Sequence, residues 1–351
     1  MPAFADESLA GSPQPLQSSN SLEAFKKITL TPTIGTEFDS SVQLSALLTA
    51  ENSDTLIRDL AILIAQRGVV FFRKQDLTIE QQQELGRRLG RLSGNPLSSG
   101  LHVHPLTETS SELGNEVSII ASERRSEYTY GDRSKLASVD WHSDITFEPI
   151  PSDYSILKLR IIPPTGGDTL WASGYEVYDR LSPSFAAYLE TLTAYHESHV
   201  FRDIAAALGN KMREDIRGHP LNKGSDLEAI HPVIRVNPVT GWKSVFVNRA
   251  FTKRIVGVTK DESDFILEYL FALVDRNHDL QVRFRWEEGS LAVWDNRSNF
   301  HAATWDYTER RVGDRVVSLG EKPSFNPKGQ SRREALGLKP AYGWTGEGPR
   351  T

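Results

Sequence analysis

Short β-rich runs separated by proline and glycine dominate the second half of the chain. Few helical segments accompany them. Strands of this length with frequent turn residues are typical of antiparallel sandwiches and barrels. We therefore expect a mainly β fold with a double-stranded β-helix (jelly-roll) core decorated by α-helices. The strand-like runs are residues 154–162, 168–172, 194–199, 230–236, 244–248, 280–286, 290–294 and 310–319.

The helical patterns are fewer and cluster around one early strand. Residues 56–66 have helical spacing and lead into a short β-rich strand, GVVFFRKQ, over residues 68–75. Thr78 and Gln81 have the spacing of a capping box, which predicts the start of an amphipathic helix. Residues 258–274 show the most regular helical pattern in the chain.

The 351 residues contain no internal repeat or linker, so we expect one main domain. Residues 1–22 are rich in Ser, Pro, Gln and Ala and predict a disordered tail. The main domain is expected over residues 23–326, followed by a partly ordered extension over 327–351 anchored by Tyr342 and Trp344. Residues 106–137 are polar and weakly periodic, which suggests a surface excursion or an active-site lid.

Composition narrows the classes of function. The chain has 40 basic and 46 acidic residues, a net charge of −6, so a nucleic-acid partner is not expected. It has no cysteine, which excludes disulfides, thiolate metal sites and cysteine nucleophiles. The apolar stretches are too short to span a membrane and no signal peptide is evident, so we expect a soluble cytoplasmic protein. Among protein partners, the one we expect is a second copy of this chain in a homo-oligomer.

One candidate metal site combines residues from two distant segments. In an extended chain His142 and Asp144 share a face, because side chains two residues apart point the same way. His301 would supply a third ligand where the chain re-enters the sheet. Two histidines and a carboxylate leave coordination positions open, which suits Fe(II) better than a closed zinc site. Taken singly, a surface or turn pair is the better explanation of His142 and Asp144, and a core or hairpin histidine is the better explanation of His301.

A late strand predicts an anion site. In RRVGDRVVSLG, the side chains of Arg311, Gly313 and Arg315 share one face. Two guanidinium groups flanking a glycine can form a pocket for carboxylates or other oxyanions. On an exposed strand, the same residues would be solvated charges.

Four runs in this order and spacing resemble the taurine/2-oxoglutarate dioxygenase (TauD/TfdA) family of non-haem Fe(II) oxygenases. The likeness covers residues 27–325. The runs are WHSDITF, PPTGGDTLWASG, VRFRWEEGSLAVWDNRSNFHAATWDY and RRVGDRVVSLGEKP.

The resemblance implies roles for individual residues. His142, Asp144 and His301 stand at the positions of the family's catalytic iron ligands. Thr169 and Arg311 match the positions that hold the distal carboxylate of 2-oxoglutarate. Arg315 matches a position that contacts both cosubstrate and substrate. His104, Ser138 and Phe251 match positions of the substrate pocket.

The resemblance also implies an activity. We expect a dioxygenase that uses Fe(II), 2-oxoglutarate and O2, releases succinate and CO2, and oxidises an unactivated C–H bond of a small organic anion. An alkyl sulfonate or sulfate is the favoured substrate. Ser138 and Thr107 replace an asparagine and a tyrosine that contact the amine of taurine in the family, which argues against taurine itself. The alternative is a biosynthetic oxygenase that hydroxylates, desaturates or cyclises an amino acid or natural-product carboxylate.

Overall fold

The computed structural model describes residues 14–106, 112–122, 136–207 and 209–341. The strands within these ranges are β1 (Lys27–Thr29), β2 (Thr36–Phe38), β3 (Val69–Phe72), β4 (Val117–Ala121), β5 (Ser152–Ile161), β6 (Thr169–Ser173), β7 (Thr193–Glu197), β8 (Glu228–Pro232), β9 (Ile234–Val236), β10 (Lys243–Val245), β11 (Thr252–Val256), β12 (Gln281–Phe284), β13 (Leu291–Asp295), β14 (Asn299–Ala303) and β15 (Val312–Leu319). The α-helices are α1 (Leu44–Thr49), α2 (Ser53–Arg67), α3 (Ile79–Leu92), α4 (Gly174–Asp179), α5 (Pro183–Leu189), α6 (Val200–Ala207), α7 (Lys260–Arg276) and α8 (Arg332–Ala335).

A seven-stranded sheet forms the centre of this mixed fold, in the order β1-β2-β3-β13-β5-β15-β4. Its pairs are antiparallel except for β2 with β3. A three-stranded sheet, β12-β6-β14, carries one of the predicted histidines. The other sheets are β11-β7-β8 and the pair β10-β9.

Both faces of the central sheet are buried, because alternate residues of its strands point to opposite sides. On one side Phe71 stacks on Phe284 at 4.0 Å between ring centroids and meets Trp171 edge-on at 5.2 Å. These contacts join the central sheet to strands β6 and β12 in one core. On the other side Leu60 of α2 and Leu85 of α3 pack in the same cluster as residues of β3, β5 and β13.

Several local predictions are confirmed. Helix α3 begins at the predicted capping box, with Thr78 and Gln81 exchanging both hydrogen bonds. Strand β3 lies within the predicted run 68–75 but is shorter, ending at Phe72. The run 230–236 is instead two strands, because the chain leaves the β7 partner after Pro232 and pairs with β10 from Ile234.

The predicted excursion over residues 106–137 needs correction. Residues 117–121 form β4, which pairs along β15 from Val312 to Val316. The alternation of this segment was obscured by its polar surroundings. Residues 107–111 and 123–135, including Thr107, lie outside the described residues, so the lid stays a prediction.

The predicted disordered tail is wrong for its described part, residues 14–22. The backbone N–H of Leu16 donates to Val239 O at 2.9 Å, and Leu22 is buried. The Ser19 hydroxyl donates to the Asp59 carboxylate at 2.7 Å. Burial would raise the pKa of Asp59, but the hydrogen bonds from Ser19 and Ser21 dominate and lower it to about 2.

The chain beyond residue 326 packs on the body as well. Gln330 pairs with Trp242, and α8 places Arg333 against the buried Glu176 with an Nη2–Oε1 distance of 2.8 Å. Tyr342 and Trp344, the predicted anchors, lie outside the described residues. Among the residues that the structure describes, no helix has the length and apolar character needed to cross a bilayer.

The docking of α8 predicts a pH-dependent stability. Burial raises the pKa of Asp179 to about 6, and the nearby carboxylate of Glu176 adds to the increase. Because the folded chain then holds this proton more tightly than the unfolded chain does, the contribution of Asp179 to stability falls as pH rises from about 4 to about 6. Asp179→Asn should therefore raise the free energy of unfolding at pH 7 by about 1–2 kcal/mol, with the gain vanishing near pH 4.

Urea unfolding between pH 4 and pH 7 measures this difference. Asp226→Asn is the matched control, because the Asp226 side chain is 84% exposed in its pair with Arg202. Equal unfolding free energies for Asp179→Asn and the unaltered chain at every pH would contradict the expectation.

Candidate metal centre

A pair of backbone hydrogen bonds brings two distant histidines together. The N–H of His142 donates to His301 O at 3.0 Å, and the N–H of His301 donates to His142 O at 2.8 Å. Residues that exchange both bonds in an antiparallel pair carry their side chains on the same face. The two imidazole rings accordingly lie 4.2 Å apart between centroids.

Asp144 completes the group. Its Oδ1 lies 3.9 Å from Nε2 of His142 and 3.9 Å from Nε2 of His301. Within the described residues, these side chains form the one group of at least three His, Cys, Asp or Glu whose ligand atoms all lie within 4.8 Å of one another. The spacing-based prediction of a shared face for His142 and Asp144 agrees with this geometry.

The chain turns sharply directly after Asp144. Ile145 has a φ of 52°, in the left-handed region that β-branched residues avoid. Its side chain is buried in an apolar cluster that includes Phe147 and Phe251. Burial of the Ile145 side chain offsets the backbone strain, and the turn is thereby fixed next to the carboxylate.

Both carboxylate oxygens of Asp144 are held by donors. Arg315 Nη1 donates to Oδ1 at 2.8 Å, and the Ser155 hydroxyl donates to Oδ2 at 2.7 Å. Burial alone would raise the pKa of Asp144, but the guanidinium of Arg315 dominates and holds this pKa well below its usual range. The carboxyl group is therefore ionised, which is the form that binds metal.

The surroundings of the two histidines also favour the form that binds metal. Burial lowers the pKa of His301 to about 3, so its imidazole is neutral. Nδ1 of His142 lies 2.6 Å from the backbone oxygen of Asp140. When the Nδ1–H group donates to this oxygen, the lone pair of Nε2 is free to bind a metal. Neutral imidazole and carboxylate are suitable ligands for Fe(II), and three protein ligands leave room for more. The donor set therefore fits such an ion.

The candidate anion site consists of Arg311, which directly precedes β15, and Thr169, the first residue of β6. The Arg311 side chain is buried, with Nε donating to Gly167 O at 3.0 Å. Its Nη2 is buried and has no hydrogen-bond partner among the described residues. Thr169 Oγ1 accepts from Trp286 Nε1 at 3.0 Å, so the Thr169 hydroxyl keeps its own proton to donate. Such unused donors fit the carboxylate of a cosubstrate.

Two of the three residues predicted to line the substrate pocket, His104 and Phe251, belong to one group of aromatic side chains. The His104 ring lies 4.9 Å from that of Phe201, and the Phe251 ring lies 5.7 Å from that of His142. Burial, with the charge of Arg315, lowers the pKa of His104 well below its usual value. Ser138 instead lines a small cavity with Trp141 and other residues. The roles of His104, Ser138 and Phe251 stay predictions.

Sequence reasoning missed two features of this region. Phe201 on α6 packs against Phe147 and Phe251 in the same apolar cluster. The helical signal was the apolar residue Ile204 three positions later, which is buried in the same cluster. Arg217 forms a bidentate buried pair with Glu148, with N–O distances of 2.6 and 3.0 Å. No local pattern links Glu148 and Arg217, since their contact exists only in the folded chain.

Two histidines and a carboxylate that accepts from Arg315 form a donor set that fits an open-coordination metal site of the non-haem type. The chain matches the family described as "Taurine catabolism dioxygenase TauD, TfdA family" over residues 26–317. The chain therefore belongs to the TauD/TfdA family of dioxygenases.

Individual relatives agree over most of the chain. The alpha-ketoglutarate-dependent dioxygenase oryG of Aspergillus oryzae is 42% identical over 335 residues, which cover 92% of this chain and 96% of that protein. An alpha-ketoglutarate-dependent sulfonate dioxygenase of Saccharomyces cerevisiae is 33% identical over 302 residues, covering 84% and 66%. The crystal structure of a taurine dioxygenase from Burkholderia xenovorans matches with a TM-score of 0.65 and 28% identity, over 87% of this chain and 94% of that one.

The glycine between the two arginines predicts a steric effect. A Cβ at Gly313 would lie 2.4 Å from Leu159 Cδ2 and 2.9 Å from Lys158 O. Gly313→Ala should therefore lower the free energy of unfolding by about 1–3 kcal/mol, the usual cost of overpacking. Combining it with Leu159→Ala removes part of the clash, so the loss in the double variant should be smaller than the sum of the two single losses. Urea unfolding of the four proteins tests this, and strict additivity would contradict it.

Proposed function

We propose that this protein is an Fe(II)- and 2-oxoglutarate-dependent dioxygenase that oxidises a C–H bond of a small organic anion and releases succinate and CO2. The observation that carries the proposal is the convergence of His142, Asp144 and His301 on one point. A buried arginine with an unused donor, Arg311, directly precedes β15, the strand that carries Arg315, and would supply the matching anion site.

Each of these residues has a defined task in the proposal. Nε2 of His142 and of His301 and a carboxylate oxygen of Asp144 would hold the metal. The bound iron supplies the capacity to activate O2 and to oxidise an unactivated C–H bond. Arg311 would bind the distal carboxylate of 2-oxoglutarate through its free N–H groups, with the hydroxyl of Thr169 as a second donor.

The substrate is proposed to be an alkyl sulfonate or sulfate whose acidic group meets Arg315. A guanidinium has five N–H donors, and the contact with Asp144 uses Nη1. Nε of Arg315 is buried without a hydrogen-bond partner among the described residues, so this side chain retains a donor for an anion. The aromatic side chains of His104, Phe201 and Phe251 would exclude water around the substrate carbon.

The architecture proposed for this activity is a double-stranded β-helix. The core shared by the central sheet and strands β6 and β12 supports it, as do the antiparallel pairs of β6 with β12 and with β14, the strand that carries His301. The dioxygenase domain is proposed to span residues 23–326, with the described parts of both flanking segments packed against it.

The activity predicts a strict dependence on His142. Purified protein with Fe(II), 2-oxoglutarate and O2 should release succinate when alkyl sulfonates or sulfates are added, with sulfite or sulfate as the second product. His142→Ala should reduce this release to background, because a ligand nitrogen is lost. His278→Ala is the matched control, since His278 is exposed on the surface, and its activity should be unchanged.

The outcomes separate the alternatives. Substrate-dependent succinate release that survives in His142→Ala would overturn the metal assignment. Stimulation by amino acids or aryloxy acids alone would overturn the sulfonate proposal, and product mass would then distinguish hydroxylation, which adds one oxygen, from desaturation, which removes two hydrogens.

Arg311 allows a separate test of cosubstrate binding. Arg311→Lys keeps the charge but loses the planar fork, so the KM for 2-oxoglutarate should rise about 10- to 100-fold with a smaller change in kcat. The exposed neighbour provides the control variant, Arg310→Lys, for which the KM should stay unchanged. An unaltered KM in Arg311→Lys would place the cosubstrate carboxylate elsewhere.

A further inference from the structure

The metal ligand His142 depends on a surface turn for its orientation. Its Nδ1 lies 2.6 Å from the backbone oxygen of Asp140, the last residue of a short 3₁₀ turn, Ala137–Asp140. A metal-binding imidazole is oriented by the acceptor that its second nitrogen finds. The position of the Asp140 carbonyl therefore sets the direction in which Nε2 of His142 points.

The hydrogen bonds within this turn are weak. Val139 N–H donates to Leu136 O at 3.2 Å, and Trp141 N–H donates to Ser138 O at 3.4 Å. Both distances are at or beyond the long end of the usual range. By contrast, His301 lies within β14, which pairs with β6 from Asn299 to Ala303. The two histidines thus differ, because one lies in a regular strand and the other directly follows a weakly bonded turn.

A side chain from the loop between β14 and β15 braces the turn. The indole N–H of Trp305 donates to Asp140 Oδ2 at 2.9 Å. The Trp305 ring also stacks on Tyr307 at 6.3 Å between centroids. This contact ties the backbone of Asp140, and with it the acceptor for His142, to the other half of the metal centre.

The same loop reaches the cosubstrate site. Asp306 Oδ1 accepts from Gly167 N–H at 2.9 Å, and Gly167 O accepts from Arg311 at 3.0 Å. A Cβ at Gly166 would lie 2.6 Å from Asp306 O, so the two segments are in close contact. Residues of the loop 304–311 therefore contact both the turn before His142 and the segment 166–167, whose Gly167 O accepts from Arg311.

We propose that Asp140 and Trp305 are positioning residues for the metal ligand His142, and that the loop over residues 304–311 couples the orientation of this ligand to the cosubstrate arginine. The proposal rests on the proposed function, because it assumes that His142 binds a metal. Neither Asp140 nor Trp305 needs to touch the metal or the substrate. Their effect passes through the backbone oxygen of Asp140.

Metal affinity measured without 2-oxoglutarate or substrate tests the proposal. The probe is Mn(II), titrated into the full-length protein and followed by the electron paramagnetic resonance signal of the free ion. Trp305→Phe removes the indole N–H but keeps an aromatic ring beside Tyr307 and leaves the charge of Asp140 in place. The dissociation constant for Mn(II) should rise about 3- to 10-fold, the range expected for one hydrogen bond.

Two variants of Asp140 separate hydrogen bonding from charge. Asp140→Asn and Asp140→Ala both remove the negative charge, but only asparagine keeps an oxygen that can accept from Trp305. Asp140→Asn should therefore bind Mn(II) nearly as well as the unaltered protein, while Asp140→Ala should resemble Trp305→Phe. Equal losses in Asp140→Asn and Asp140→Ala would overturn the proposal in favour of simple charge attraction.

A second tryptophan variant serves as the control, and the KM for 2-oxoglutarate measures the coupling to Arg311. Trp242→Phe alters another tryptophan, which packs against Tyr175, and should leave Mn(II) affinity unchanged. In Trp305→Phe the KM for 2-oxoglutarate should also rise, whereas a merely structural defect would lower kcat and the active fraction alone. Unchanged Mn(II) affinity in a folded Trp305→Phe, verified by circular dichroism, would overturn this proposal and leave the proposed function standing. Failure of the unaltered protein to bind Mn(II) would overturn both.

Discussion

The reciprocal backbone hydrogen bonds between His142 and His301 are the contact on which the rest of the site depends. They join segments far apart in the chain, one of which is the strand β14 that pairs with β6. Once formed, they fix both imidazoles on one face without any help from the side chains. Asp144 then needs only to follow His142 by two residues, and the turn at Ile145 holds it there.

Charge balance around Asp144 links the metal ligands to the anion sites. A buried carboxylate without compensation would be costly, and Arg315 supplies the opposite charge at 2.8 Å. Arg315 lies in β15 and Arg311 directly precedes this strand, and the absence of a side chain at Gly313 leaves space for Leu157 and Leu159. The two guanidinium groups proposed to bind cosubstrate and substrate are therefore carried by one segment, next to the edge strand β4.

The sequence predicts those parts of the site that depend on local spacing. The shared face of His142 and Asp144 follows from period-two geometry, and so does the alternation along β15, the strand that carries Arg315 and that Arg311 precedes. The pairing of His301 with His142 is a long-range contact that spacing alone cannot reveal, and the family resemblance supplied it. The strand β4, the split after Pro232 and the indole of Trp305 on Asp140 escaped prediction because each is decided by tertiary partners. The ordered segment 14–22 escaped for the same reason, since its polar serines bind Asp59.

The most direct test of the account is a crystal structure of the protein grown anaerobically with Mn(II) and 2-oxoglutarate, with the metal located by its anomalous scattering. We predict one Mn(II) bound by Nε2 of His142, Nε2 of His301 and a carboxylate oxygen of Asp144. We also predict that 2-oxoglutarate completes the coordination and that its distal carboxylate lies on Arg311. A metal bound at other residues, or a coordination shell closed by protein ligands with the cosubstrate absent from Arg311, would contradict the proposed site.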